Sequence, residues 1–428
     1  MVTFPNSTIS YGDYMGKLKF FTAVIGFFLT MSATAAGGKT MGVKVIDFQK
    51  PGMSDSQCVQ AALYATRNAA SRTIIFSGRD FLLNESVKLP SDTTVIIDNC
   101  MVKQADYTFD NIFCGANFTI DPLDPHGDWL DMKPVKNIRI IGKGKAVVSG
   151  CDKNVRIYHP FFKEEQDGVG DGFGWRTHLF HFAGVENIEI GNLEIIQGRC
   201  WAICIGMSKK GHIHDIKFDN RSKNGDGIDL RAGCSEFLIE NISGYTKDDT
   251  VALNAGPAGY VAEKPLTRYY YSSQPWEKFL CKPGADPRDR DIHDVTIRNL
   301  NVSGFFHAVI LLSLNNTNIY NVKISNIRDT GSRNFSLVDF YTGYGFGEGY
   351  VPGNIHDITV ENVDGNSDHN PAIYRGAVVV ELPVKNVNIR NVRNRGTGNA
   401  VIVTHPEGVT VSEVNKDGIS NRLRPTDK

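Results

Sequence analysis

From Val135 onward the chain repeats one short line of sequence: KNIRIIGKGKAVVSG, ENIEIGNLEIIQG, HIHDIKFDN, FLIENISG, DVTIRNLNVSG, NVKISNIRD, DITVENVDG and NVNIRNVRN. Each line alternates apolar and polar residues with period two, the pattern of a half-buried strand, and then reaches Asn or Gly, the residues of a turn. Asn recurs at one place in the unit, at Asn192, Asn220, Asn241, Asn299, Asn326, Asn362 and Asn391. Several intervals are close in length: 192 to 220 is 28 residues, 220 to 241 is 21, 299 to 326 is 27 and 362 to 391 is 29. A repeat of that length is the coil of a solenoid, and the period-two alternation excludes a helical one. The fold that fits is all-β, a right-handed parallel β-helix. Asn suits the repeated bend because it tolerates the left-handed conformation and its amide can bond to the amide one coil away.

The segment before the repeats fits one end of such a body. Val43 to Phe48 reads as a strand, and Ser54-Asp55-Ser56 opens an Ala-rich helical pattern through Ala70, with Ser or Asp as N-cap. This helix is expected to cap the N-terminal end of the core, because an open solenoid end would expose strand edges. Further strands are expected at Thr73–Phe76, Ser86–Leu89 and Thr94–Ile97.

At the N-terminus, Lys17-Leu18-Lys19, the apolar run Phe20 to Thr30 and Ala33-Thr34-Ala35 have the layout of an export signal over residues 1–35. The apolar run is too short for a span, which needs roughly 20 residues. The expectation is therefore a secreted or periplasmic protein with no membrane span after cleavage. Residues 36–428 then form a single β-helix domain with insertions near 107–133, 152–176 and 257–291. A formal net charge of -1 over 428 residues carries no footprint of nucleic-acid binding. The eight cysteines, Cys58, Cys100, Cys114, Cys151, Cys200, Cys204, Cys234 and Cys281, show no paired zinc spacing. Most are expected as small buried hydrophobes, with one or two disulfides permitted by export.

The insertions are rich in aromatic residues, as a cleft that stacks on sugar rings would be, although each such loop could equally pack on the outer wall. Trp175 and Trp201 are the best placed for stacking.

A set of titratable groups falls on one column. Aligning Leu230 on Leu253 places Asp226 on Asp249, and aligning Ile239-Glu240-Asn241-Ile242 on Ile297-Arg298-Asn299-Leu300 places Asp249 on His307, with Asp248 alongside. Stacked strands lie about 4.8 Å apart, so these groups are crowded. Turn-forming Asx residues would explain any one of them. A Ca²⁺ site would explain the carboxylates, yet His is a poor Ca²⁺ ligand and no Asp-x-Asp-x-Asp-Gly loop is present. Acid–base work on a glycosidic bond would use all four, because crowded carboxylates push each other's pKa values apart and supply one protonated and one ionised group. No cofactor or metal is needed.

The residues around that column resemble a known family. Asn224-Gly225-Asp226-Gly227-Ile228-Asp229 is similar to the Asn-Thr-Asp-Gly-Ile-Asp of polygalacturonase-type glycoside hydrolases (family 28) of the pectin-lyase-like superfamily, and Lys247-Asp248-Asp249-Thr250-Val251-Ala252-Leu253 to their Gly-Asp-Asp-Cys-Ile-Ala-Ile. Leu179-Phe180-His181-Phe182 and Trp201-Ala202-Ile203 sit in coils similar to the family's, and Val45 to Val95 is similar to its capping segment. The resemblance implies an exported inverting hydrolase of a pectin-related or similar polysaccharide or oligosaccharide. It makes Asp248 the general acid, sets Asp226 and Asp249 to hold the attacking water, and makes His307 the catalytic His, here without its flanking glycines. Asn224, Arg199, Trp201, Arg231, Trp175 and His181 are candidates for substrate binding. An inverting pair implies carboxyl groups of Asp226 and Asp248 roughly 6.5–9.5 Å apart.

One departure bears on substrate. The family's Arg-Ile-Lys, which binds a uronate carboxylate, falls near Ser336-Leu337-Val338-Asp339, where neither cation stands. Leu337, Val338 and Asp339 are expected to line that subsite, with Arg199, Arg231, Lys247 or Arg333 as replacement cations. Lys247 stands where the family has Gly, and beside Asp248 it would lower the pKa of the acid unless it points away. Two other classes remain: a polysaccharide lyase, which needs a Lys or Arg base and usually Ca²⁺, and a non-catalytic carbohydrate-binding β-helix that retains sugar without turnover.

Overall fold

The computed structural model describes residues 39–108, 110–117, 133–153, 156–159, 164–167, 178–256, 280, 284, 286–313, 317–331, 335–341, 350–368, 376–414 and 419–420. The expected export signal, Trp175, Arg333, Cys281 and most of the three insertions lie outside the described residues.

The described strands stack into a parallel β-helix. One sheet has fifteen strands and runs from Thr40–Lys44 at the N-terminal end to Val409–Val414; the other has eleven and includes Phe180–Ala183, Ile203–Gly206, Ile228–Arg231, Val251–Asn254, Val309–Leu312 and Val338–Phe340 in stacking order. From Val185 onward each coil contributes one long and one short strand, and the pairing between these coils is parallel. The core lies between the two sheets. Ile188, Ile190, Leu193 and Ile195 stack beside Ile213, Ile216 and Phe218, all fully or nearly fully buried. Each such side chain contributes about 1.5–3 kcal/mol when removed from water.

Two columns of left-handed residues bend the long strands from Val185–Ile196 to Lys385–Asn394. They stand five positions apart in each coil, as at Asn187 and Asn192, Asn321 and Asn326, or Asn386 and Asn391, with φ between 52° and 65°. Along the second column the amides form a ladder: Asn299 donates to Asn241 at 3.1 Å, Asn326 to Asn299 at 3.0 Å, Asn362 to Asn326 at 3.0 Å and Asn391 to Asn362 at 2.7 Å. Asn220 does not belong to it. The register sets Asp215 opposite Asn241, and Asn241 donates to Asp215 at 3.0 Å. Asn220 ends its strand, buried, and donates to the carbonyl of Asp226 at 3.0 Å. The sequence interval alone could not separate an Asn that turns the strand from one that closes it.

The expected helix is present but shorter, Asp55–Ala65 rather than through Ala70. Ser54 accepts from Gln57 N while Gln57 accepts from Ser54 N, a reciprocal cap. Thr66 Oγ1 turns back to the carbonyls of Ala62 and Leu63, a local bond that competes with continuing the helix. Cys58, Val59, Ala62 and Leu63 join the core, so the helix covers the N-terminal end of the stack. The stretch Val43–Phe48 divides into the end of a strand at Lys44 and a 3-10 turn, Val45–Phe48. No helix among the described residues is long and apolar enough to cross a membrane. The seven described cysteines are buried.

Candidate active site

The site is built where the chain enters the short strands. Ile228, Val251, Val309 and Val338 are in register. Two residues earlier in each coil stand Asp226, Asp249, His307 and Ser336, so the first three form the column expected from the sequence. On the N-terminal side the same register adds Trp201 and His178. Backbone bonds tie the column together: Ala202 N donates to Asp226 O at 3.0 Å, Gly227 N to Asp249 O at 2.9 Å and Thr250 N to His307 O at 2.9 Å.

Local sequence explains the turn that presents Asp226. Asn224 takes a left-handed φ of 52°. Gly225 and Gly227 flank Asp226 because a Cβ at Gly225 would lie 2.5 Å from Ser222 O, and one at Gly227 would lie 2.6 Å from Thr250 O. Asn220 clasps the turn through the Asp226 carbonyl. The Asp-Gly-Ile-Asp pattern is thus what allows a carboxylate to sit between two crowded coils.

One oxygen each from Asp226, Asp248 and Asp249 lies within 4.8 Å of the other two, with Asp226 buried and the others half-buried. Burial, followed by the charges of Asp229, Asp248 and Asp249, holds the Asp226 carboxyl well above the usual carboxylate range. His307 closes the other side. Its Nδ1 donates to Asp249 Oδ1 at 2.6 Å, its backbone N donates to the same oxygen at 3.1 Å, and its Nε2 lies 3.4 Å from Asp339 Oδ2. Burial alone would push the imidazole down, but the two carboxylates outweigh it and raise His307 to about 10, so it is cationic. Phe306 and Phe335 stack beside it, with centroids 4.6 Å apart.

The flanking residues fall into distinct places. Trp201 is 8% exposed, one rung from Asp226, with the Arg231 guanidinium over its ring at 4.7 Å. Arg231 itself is buried. Arg199 occupies the position on its coil that Asn224 holds on the next, and donates to the Cys151 carbonyl. His181 is fully enclosed, where burial keeps it neutral. Lys247 turns its ammonium onto the Phe305 ring at 4.5 Å. Leu337 and Val338 do not line a subsite as expected. Both are packed in the solenoid core, and only Asp339 of that trio stands on the outer face beside His307. Sequence reading named Asp339 as a subsite acid but missed its pairing with His307. The signal was available, since Val338-Asp339-Phe340 repeats the strand pattern of Ile228-Asp229-Leu230. Ser336 was missed as the next member of the column, and His178 as its N-terminal continuation.

Residues 85–263 match the model of glycosyl hydrolases family 28. The matched stretch is less than half of the chain. The match includes Asp226, Asp248 and Asp249 and stops before His307 and Asp339. The β-helix is also similar to solved structures. An exopolygalacturonase of family 28 from Yersinia enterocolitica is 14% identical, with 91% of this chain and 80% of that one covered and a TM-score of 0.45. A hyperthermoactive exopolygalacturonase from Thermotoga maritima is 14% identical, with 89% and 92% covered and a TM-score of 0.49. A tailspike protein mutant of E. coli bacteriophage HK620, in complex with a pentasaccharide, is 13% identical, with 88% and 66% covered and a TM-score of 0.57. No curated protein matches the chain by sequence. The carboxylate cluster of Asp226, Asp248 and Asp249 lies within the matched stretch.

Proposed function

We propose that this is an exported, inverting glycosidase of a pectin-related or similar saccharide, with Asp248 as proton donor, Asp249 and Asp226 around the attacking water, and His307 as the cation that balances them. The observation that carries the reading is the column of Asp226, Asp249 and His307 on adjacent coils, with Asp248 beside it. Such a cluster holds a proton and an ionised carboxylate side by side, as glycoside hydrolysis requires. Burial, followed by the charges of its neighbours, raises the Asp226 carboxyl above the ordinary carboxylate range. Asp249 is ion-paired with His307.

A second mechanism, retention through a covalent glycosyl intermediate, uses carboxyl groups about 5–5.5 Å apart. Time-resolved proton NMR of the first product formed from a panel of plant and microbial oligosaccharides decides between them. Product of inverted anomeric configuration supports the proposal, and retained configuration supports the second reading. An unsaturated product would make the chain a lyase; saccharide bound without turnover would make it a binding protein.

The substrate at the cleavage subsite is proposed to be a neutral sugar, or a uronate held by Arg231 or Arg199 from the N-terminal side. Asp339 stands where the family has a cation, and its Oδ1 is enclosed without a hydrogen-bond partner among the described residues. That oxygen suits a sugar hydroxyl and repels a carboxylate.

A further inference from the structure

Beside the carboxylate column lies a second cluster of a different chemical character. His181 and Cys204 are cross-strand partners on adjacent coils, and His178 precedes His181 by one short turn. One donor atom from each of the three lies within 4.8 Å of the other two, and all three residues are buried. The rings of His178 and His181 meet edge to face at 4.7 Å, and His178 stacks on Trp201 at 5.5 Å. His178 Nδ1 lies 2.8 Å from the carbonyl of Trp201, which can only accept. That bond places the ring proton on Nδ1 and leaves the lone pair on Nε2. An imidazole fixed by a backbone carbonyl in this way is the usual arrangement around a bound transition metal.

We infer that His178, His181 and Cys204 form a binding site for a borderline transition-metal ion of the Zn²⁺ type, distinct from the carboxylate cluster. Two imidazoles and a thiol are a nitrogen and sulfur set, which selects Zn²⁺ over the hard ions Ca²⁺ and Mg²⁺. Zn²⁺ binds His nitrogen at about 2.0–2.1 Å and Cys sulfur at about 2.3 Å, so a bound ion would draw the three donors somewhat closer together than the 4.8 Å limit met here. Three protein donors leave a fourth position for water. The ion would join the coils of Phe180–Ala183 and Ile203–Gly206 and so anchor Trp201, one rung from Asp226. The inference does not depend on the glycosidase reading.

The test uses the purified whole chain, stripped with chelator and titrated with Zn²⁺ and, separately, Co²⁺. The expected result is one equivalent of Zn²⁺ retained through gel filtration, a raised Tm, and a thiolate-to-cobalt charge-transfer band in the Co²⁺ form. Cys204→Ser, close in shape, removes the band and weakens Zn²⁺ binding by about tenfold or more, while Asp226→Asn leaves both in place. Failure of the unaltered chain to retain Zn²⁺ overturns the inference whatever the variants do. It is also overturned if the cobalt spectrum lacks the thiolate band, or if Asp226→Asn rather than Cys204→Ser abolishes binding, which would move the ion to the carboxylates.

Discussion

His307 donates to Asp249 Oδ1 over 2.6 Å from one side of its ring while its other nitrogen faces Asp339 at 3.4 Å. An imidazole enclosed between two carboxylates keeps its proton far above the ordinary range, and here that value is about 10. Because the folded value lies above the ordinary unfolded value of about 6.5, the protonated pair stabilises the fold fully below pH ~6.5. That contribution is lost as pH rises toward about 10. Stability measured by urea unfolding should therefore fall between pH 7 and pH 9.5, and Asp339→Asn should flatten the slope by lowering the His307 pKa. An unchanged slope in Asp339→Asn would remove Asp339 from the pairing.

The Asn ladder makes a prediction about the scaffold. Asn326 combines a left-handed φ of 57° with bonds to Asn299 and Asn362. Asn326→Ala should cost about 2–3 kcal/mol, combining the strain of a Cβ in that conformation with two lost hydrogen bonds. Asn326→Gly should cost clearly less, because glycine accepts the conformation. Equal losses in chemical denaturation would mean that the bend carries no strain.

The fold was legible in the sequence because a solenoid writes its period into every coil. The same period set Asp226, Asp249 and His307 on one column. What resisted reading was whatever the period does not encode. Asn220 and Asp215 exchange roles because side-chain identity does not say which Asn turns the strand and which closes it. Leu337 and Val338 went to the core because the chain is still entering the short strand there, and only Asp339 takes the outward position of the pleat. The close approach of Asp226 to Asp248 depends on how tightly the two coils pack at glycines, a distance that no spacing in sequence states.

Substrate charge is the next test. If Asp339 replaces the family's cation, kcat/KM on unsubstituted polygalacturonate should fall well below that on neutral or mixed oligosaccharides such as rhamnogalacturonan fragments. Where a uronate is accepted, Arg231→Ala and Arg199→Ala should weaken it, Arg231 also by releasing the Trp201 ring it covers. Efficient cleavage of polygalacturonate that neither substitution changes would show that the lost cations do not govern specificity.

The central claim is that the carboxylate column performs general acid–base catalysis on a glycosidic bond, and the direct measurement is kcat for Asp248→Asn beside the unaltered enzyme, on an oligosaccharide with a poor leaving group. Asp248 is half-buried at the edge of the cluster, and the substitution is nearly isosteric, so the melting temperature should change little. Loss of general-acid assistance predicts a fall of about 10²–10⁴-fold. Full activity in Asp248→Asn, with the fold intact, would contradict the account.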